Sequence, residues 1–518
     1  QAFAAFIANN ERLAGITFPQ LPNRLSTTSS DMERMLVRAR TLCHLVLGDV
    51  EVDEWFAACK NSKGSSRGVP LVDTSPERKF SYPISCTLGA KPFFEQYLAW
   101  DQSLKYAIEE LNADHHVGDR YEVVEGSRAT TVDKSDTKRR MIAIEPTANM
   151  FLQQGLMEVM YGRLRAFGLD VQTLPSMHTT LAWESSVTGK NATIDFSSAS
   201  DCVHTELLRL LLPSRWFRLL NSIRSHTMEI NSTLLDLTTF ATMGNACTFP
   251  LETLVFWSLA AASGTLSVKT NTALVSEAVR SRVSVFGDDC ILPCDWASTY
   301  VQSMEALGFI INTDKSFADP AGRFRESCGG DYLAGRDVRP YYPKGPTSRR
   351  MSALEPWLYV HANSLMTLYI KVVGLHKYVY YTRALAYIFR VINQHGYKLK
   401  LVPDYYPDDA GLKVYGDAPR FTSVYSEFNY SKITRSHHGT FTFDYCRFVY
   451  RSTRPLDHGV RYALWLKSTL RESRPTELDR ILSDPLRKVN EDRYSIKRLG
   501  GYVAAKSISS HWDLRAWK

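Results

Sequence analysis

The segment Val283-Ser284-Val285-Phe286-Gly287-Asp288-Asp289-Cys290-Ile291-Leu292-Pro293 sets two β-rich runs around Gly-Asp-Asp, the pattern of a hairpin with an acidic pair at its tip. Gly/Asp turns are common, but adjacent carboxylates in a tight turn repel one another. That cost falls away when a divalent cation sits between them. Hard oxygen donors with water suit Mg2+ or, as a substitute, Mn2+. Upstream lies Ala192-Thr193-Ile194-Asp195-Phe196, a short β-rich run reaching a carboxylate. Ser197-Ser198-Ala199-Ser200-Asp201 and an apolar helical run, Cys202 to Leu212, follow it. Ser200 or Asp201 is placed to cap that helix. Alone, Asp195 reads as an ordinary strand-end turn former. Brought beside Asp288, it would hold two ions roughly 3.5–4 Å apart, the geometry of in-line displacement at phosphorus.

Between these motifs, Thr242-Met243-Gly244-Asn245-Ala246-Cys247-Thr248-Phe249-Pro250 is a small polar loop leading into an apolar helix, Leu251 to Ala262. In isolation it is a capped helix entry, although Asn245 has the donors and acceptor to meet a sugar hydroxyl. Arg128, Lys134, Lys138, Arg139 and Arg140 crowd a β-rich region, residues 121–144. Such a set suits the phosphates of a triphosphate, although most charge runs are solvated faces.

The chain has 518 residues, room for several domains or one large lobed fold. Hydrophobic residues at 44% and charged residues at 22% exclude bulk disorder. The longest apolar stretch, Leu254 to Ala262, is far short of the ~20 residues that span a bilayer, and no secretory signal is seen. The expectation is a soluble protein. A net charge of +8 is modest at this size, so the location of the basic residues matters more than their number. Nine cysteines, an odd number scattered through the chain, argue for a reducing interior; Cys290 and Cys294 read as two buried thiols. Helical patterns cover Met32 to Leu47, Phe93 to Leu111 and residues 150–168. The C-terminal part is aromatic and basic, including Tyr341, Tyr342, Trp357 and the stretch Arg487 to Lys518. Core packing is the default role for its aromatics.

In this order the motifs resemble palm-domain RNA-directed RNA polymerases. Their wording is closest to the replicases of single-stranded RNA bacteriophages, the levivirus or Q-beta type. The matching text runs Ser127-Arg128-Ala129-Thr130-Thr131-Val132, Ile142-Ala143-Ile144-Glu145-Pro146, Ile194-Asp195 to Asp201, and Met243-Gly244-Asn245. It continues through Phe286-Gly287-Asp288-Asp289, Asn312-Thr313-Asp314-Lys315-Ser316-Phe317 and Phe324-Arg325-Glu326-Ser327-Cys328-Gly329. The resemblance covers roughly residues 90–345. Two departures stand out. Ala246 occupies a position where the family usually has Gly, and Ser200 stands five residues after Asp195, with Asp201 at six.

The resemblance implies an α+β, right-hand polymerase with an antiparallel palm sheet backed by helices. Residues 1–180 would form fingers, 181–340 the palm with a finger insert near 215–240, and 341–518 the thumb and C-terminal region. It assigns Asp195, Asp288 and Asp289 to metal binding and catalysis, with two Mg2+ ions, and Lys315 to protonation of the departing pyrophosphate. Arg128, Lys134 and Arg140 would line the nucleotide path. Gly244 and Asn245, with Ser200 or Asp201, would sense the ribose. Arg325, Glu326, Ser327, Cys328 and Gly329 would grip the 3′ end of the new RNA. The implied partners are template and product RNA, ribonucleoside triphosphates, and host translation elongation factors Tu and Ts with a ribosomal protein. The implied place is the cytoplasm of an infected bacterium. Two rivals remain: a narnavirus-like RNA polymerase, and a catalytically silent RNA-binding or scaffold subunit.

Overall fold

The apolar run after Asn245 forms the helix Thr248–Gly264, buried continuously from Pro250 to Ser263. A helix that is apolar all round belongs inside a protein. In the computed structural model it packs against the helices Asp31–Leu47, Thr147–Ala166 and Cys294–Ala306. The structure describes residues 2–21, 29–70, 74–115, 117–134, 138–266, 282–340, 342, 345, 353–373, 382–414, 426–437, 440–449, 463–464, 466–467 and 501–509. Among these, no helix is long and apolar enough to cross a membrane. Tyr341 and most of residues 487–518 lie outside the described residues.

The chain is a mixed helix-and-sheet protein that divides into two compact units. One comprises residues 1–339 and 456–472, the other 340–455 and 473–518. Residues 1–180 and 181–339 thus share a single unit. From the C-terminal part, Leu464 is buried in the core of the first unit and Lys467 pairs with Asp101 at 2.7 Å.

In the first unit, strands Asn191–Ile194, Asp289–Pro293 and Ser284–Phe286 form an antiparallel sheet with Asp289–Pro293 in the middle. Helices Leu174–Thr188, Thr248–Gly264 and Cys294–Ala306 pack on it. A second sheet orders Arg139–Ile144, Ser127–Asp133, Thr227–Ile230 and Thr233–Asp236. The hairpin from the 215–240 segment therefore joins the basic strands, in parallel, through Ser127–Met228 and Arg128–Glu229.

Three local expectations change. The run Cys202 to Leu212 is not one helix: Ser200–Cys202 is a 3-10 turn and the α-helix spans Thr205–Leu211. Neither Ser200 nor Asp201 caps it. The cap is His204, whose Nδ1 accepts the Glu206 N–H at 2.9 Å. Tertiary pairing is the cause, since Val203 and Thr205 exchange backbone hydrogen bonds with Phe240 and Thr238 and hold the chain extended there. The pattern Phe93 to Leu111 splits into Lys91–Trp100 and Gln102–Leu111, with Asp101 capping the second helix. Cys290 is buried as expected, its thiol against the Tyr300 hydroxyl, whereas Cys294 is only half-buried. By contrast, Ser30 and Glu33 form a reciprocal capping box that starts Asp31–Leu47, close to the sequence pattern.

The second unit has its own core, built from helices Leu354–Val373 and Thr382–Gln394 and strands Leu401–Pro403 and Leu412–Val414, with Phe441–Val449 paired to Gly501–Ser509. Trp357 packs edge-on against His361 in this unit, a structural role rather than an open stacking platform.

Candidate active site

The hairpin turn is two residues long, Gly287-Asp288, between Phe286 and Asp289. Gly287 has φ +62 and Asp288 is not positive, the pattern of a II′ turn that takes glycine first. A Cβ on Gly287 would lie 2.5 Å from the Phe249 ring, and the Gly287 N–H donates to Thr253 Oγ1 at 3.0 Å. The buried helix therefore clamps the acidic tip.

Ile194 is the register partner of Cys290, so Asp195, the next residue, faces the position of Asp289 across the sheet. The Asn312 amide donates to Asp195 Oδ2 at 2.6 Å, and the Asp195 backbone N–H donates to Ser316 Oγ at 3.1 Å. Burial pushes all three carboxyls above the usual range. The charge of Asp288 adds to the rise of Asp195, while Asp288 and Asp195 together help push Asp289 up to about 6. For Asp288, burial is opposed by its own backbone hydrogen bond and by Arg140, Lys134 and Lys315. Oxygen-only donors under mutual repulsion fit a hard divalent cation by their chemistry. Among the described residues, no three His, Cys, Asp or Glu side chains stand close enough to form a metal cage by themselves. Mg2+ habitually completes its shell with water and substrate phosphate, and needs only one or two protein carboxylates.

Two cavities flank this acidic group. The larger, about 500 Å³, is lined by Asp288, Lys134, Arg139, Arg140, Ser200, Asp201, Gly244 and Asn245. The smaller, about 230 Å³, is lined by Asp195, Asp289, Lys315, Glu326, Cys328, Gly329 and Arg339. Most of the sequence-derived residues are thus gathered into one region.

In the larger cavity, Gly244 has φ +119, and a Cβ there would sit 2.0 Å from the Ala143 carbonyl. The Ala143 N–H donates to Met243 O at 2.7 Å, so the loop lies directly on a basic strand. Only glycine permits that approach. Ala246 needs no such freedom, for its φ is not positive. Asn245 Oδ1 accepts the Cys247 N–H at 2.9 Å. Asp201 is buried, its Oδ1 has no hydrogen-bond partner, and burial pushes its carboxyl up to about 7 against the pull of Arg140.

In the smaller cavity, Lys315 Nζ pairs with Glu326 at 3.0 Å. Burial alone would lower this amine, but the Glu326 bond, with Asp195 and Asp289, holds it above the usual lysine value. Cys328 and Gly329 turn the strand pair Phe324–Ser327 and Gly330–Leu333 with φ +48 and +79, and the Cys328 thiol approaches Asp289 Oδ2 at 3.6 Å.

Three expected site residues are placed otherwise. Arg325 is 1% exposed, and its guanidinium donates to the backbone carbonyls of Asn191, Asp319, Gly322 and Phe324, so it is turned inward and ties residues 319–324 to the strand at Asn191. Ser327 is equally buried, bonded to His178. Arg128 lies on the same sheet as Arg140 but is not among the residues lining the larger cavity.

The sequence reading missed two neighbours. Glu252 lines the larger cavity, and burial with Asp288 and Asp201 raises its carboxyl far above the ordinary value. Its signal was available: it is the lone charged residue in Thr248–Gly264. His178 joins Ser327 Oγ to Ser284 Oγ, both at 2.9 Å, tying the turn strand to the hairpin strand. Nothing in the sequence around it signals that bridge.

A family model described as RNA replicase, beta-chain, matches residues 2–475. The RNA-directed RNA polymerase subunit beta of Escherichia virus Qbeta is 34% identical over 313 residues, covering 60% of this chain and 49% of that protein. The beta chain of Enterobacteria phage fr is 31% identical over 331 residues, with coverages of 64% and 57%. That of Escherichia phage MS2 is 32% identical over 291 residues, with coverages of 56% and 50%. The chain spans about half the length of the curated relatives it matches. A solved RNA-dependent RNA polymerase of BmCPV at elongation state aligns with TM-score 0.40 and 10% identity, over 82% of this chain and 38% of that one, too remote to inform the site.

Proposed function

Because the chain belongs to the RNA replicase beta-chain family, we propose that it copies RNA: template-directed synthesis from ribonucleoside triphosphates, replicating a phage genome in the bacterial cytoplasm. The observation that carries this reading is Asp195 facing Asp289 across the sheet, with Asp288 at the adjoining tip and a polar cavity on either side.

On this reading the sheet holding the carboxylates is the palm of a right-hand polymerase, and residues 127–144 with 227–236 are part of its fingers. Asp195, Asp288 and Asp289 hold two Mg2+ ions, which when bound lower the pKa of the attacking hydroxyl and offset charge on the pyrophosphate. Lys134 and Arg140, both exposed and facing the larger cavity, neutralise the incoming triphosphate. Asn245 has its oxygen engaged by Cys247, which leaves its amide to donate to a ribose hydroxyl, while the unpaired Asp201 oxygen accepts from one. Asp201 thus fits the ribose-sensing role better than Ser200. The 3′ end of the growing strand meets the smaller cavity, lined by Glu326 and by the turn residues Cys328 and Gly329. Lys315, released from Glu326, protonates the departing pyrophosphate. Sequence information comes from base pairing, so RNA contacts are mainly to phosphate and weaken with salt.

The test is magnesium-dependent incorporation of labelled ribonucleotides on an RNA template. Asp288→Ala should abolish it while RNA binding and folding persist. Incorporation that survives this change refutes the metal assignment, and a wild-type chain that binds RNA without ever incorporating would be a silent subunit instead. Repeating the assay with bacterial extract tests the proposed need for elongation factors Tu and Ts and a ribosomal protein.

A further inference from the structure

The larger cavity has a wall that the acidic and basic motifs do not supply. The helix Ala2–Ala14 contributes Ala2, Ala5, Phe6 and Asn9 to it. Phe6 is 3% exposed and packs with Met141, Ala143, Met228 and Ile230 of the basic sheet. Asn10 Nδ2 donates to Asp236 O and its Oδ1 accepts the Thr238 N–H, both at 2.9 Å. One side of the helix is therefore fastened to the sheet that carries Arg140.

Asn9 turns toward the acidic side. Its Nδ2 donates to the backbone carbonyl of Asp201 at 3.0 Å. Its Oδ1 accepts from Arg12 NH2 at 2.8 Å, and the same Arg12 nitrogen donates to Gly308 O at 2.8 Å. Arg12 thus fixes which end of the Asn9 amide faces Asp201. The residue so held lies in the 3-10 turn Ser200–Cys202, and its buried carboxylate oxygen has no partner.

We infer that the helix Ala2–Ala14 is part of the nucleotide site, and that Asn9 is a positioning residue which, through the Asp201 backbone, sets discrimination between ribonucleotides and deoxyribonucleotides. This rests on the polymerase reading above. A side-chain amide gripping a main-chain carbonyl restrains the turn, and the turn determines where the carboxyl points. A buried acceptor turned out of line weakens its hydrogen bond to a sugar hydroxyl, and with it the preference for the sugar that carries one.

The experiment compares kcat/KM for ribonucleotides and 2′-deoxyribonucleotides on one RNA template, using the full chain. Asn9→Ala should lower the ribose preference, the ratio of the two kcat/KM values, about fivefold. In an Asp201→Asn background, Asn9→Ala should lower it no further, as two residues acting through one contact are non-additive. Ala5→Trp, at an exposed helix position facing the cavity, should raise KM for every nucleotide with an unaltered melting temperature. The inference is overturned if Asn9→Ala leaves the preference intact, if the two substitutions simply add, or if Ala5→Trp leaves KM unchanged. If the wild-type chain incorporates nothing, it is the polymerase reading that has failed.

Discussion

Asp195 follows Ile194, and Asp289 precedes Cys290; since Ile194 and Cys290 are register partners in adjoining antiparallel strands, the sheet itself holds the two carboxylates opposite one another. Asp289 is pushed up to about 6 by burial, then by the charges of Asp288 and Asp195. Like charges facing each other across strands destabilise a sheet. Without metal, Asp289→Asn should therefore stabilise the fold by about 0.5–1 kcal/mol in urea unfolding at pH 7, while incorporation falls. Equal or lower stability would mean that the repulsion is already relieved within the protein.

Gly244 allows no side chain. Its Cβ would meet Ala143 O at 2.0 Å, in a backbone conformation at φ +119. Gly244→Ala should cost about 1–3 kcal/mol and move the loop off the basic strand. Nucleotide KM should rise more than RNA affinity falls, which steady-state incorporation and filter binding separate.

Arg325 is a structural cation. With four backbone carbonyls as its acceptors and almost no exposure, its removal strands buried acceptors. Arg325→Ala should destabilise the protein by roughly 3 kcal/mol or more, whereas RNA affinity of the folded fraction stays the same. A selective loss of RNA binding at unchanged melting temperature would contradict this assignment.

His178 supplies a pH signature. Burial lowers its ring from the ordinary 6.5 to about 4, so it stays neutral between two serine hydroxyls. Between those values the unfolded chain binds the proton and the folded chain does not, so stability falls as pH drops from about 6.5 to 4. The full contribution is at most about 3 kcal/mol. His178→Gln should flatten that part of the stability–pH curve, measured by denaturant midpoints from pH 7 to 4.5. An unchanged slope would mean the ring takes up a proton inside the fold.

The carboxylates were legible in the sequence because each sits at the end of a short β-rich run, where the chain turns and local patterning marks the position. The glycine loop was legible for a similar local reason. Glu252 was legible but passed over: one carboxylate in an otherwise uncharged helix is a signal by itself. The inward course of Arg325 was not legible. A motif does not state whether a long side chain runs outward to a ligand or back under its own backbone, and here the carbonyls of Asn191 and Asp319 captured it.

Linear order and local chemistry were enough to mark the hairpin, the three aspartates and the buried helix, since turn preference, apolar patterning and like-charge repulsion act between near neighbours along the chain. Folding in three dimensions settled the rest. Pairing of Val203 and Thr205 with residues 238–240 cut a predicted helix short and freed Asp201 to face the cavity, and a helix some two hundred residues earlier in the chain closed the wall beside it. Such contacts depend on which distant segments share buried surface, a property of the packed core as a whole that no single stretch of residues carries.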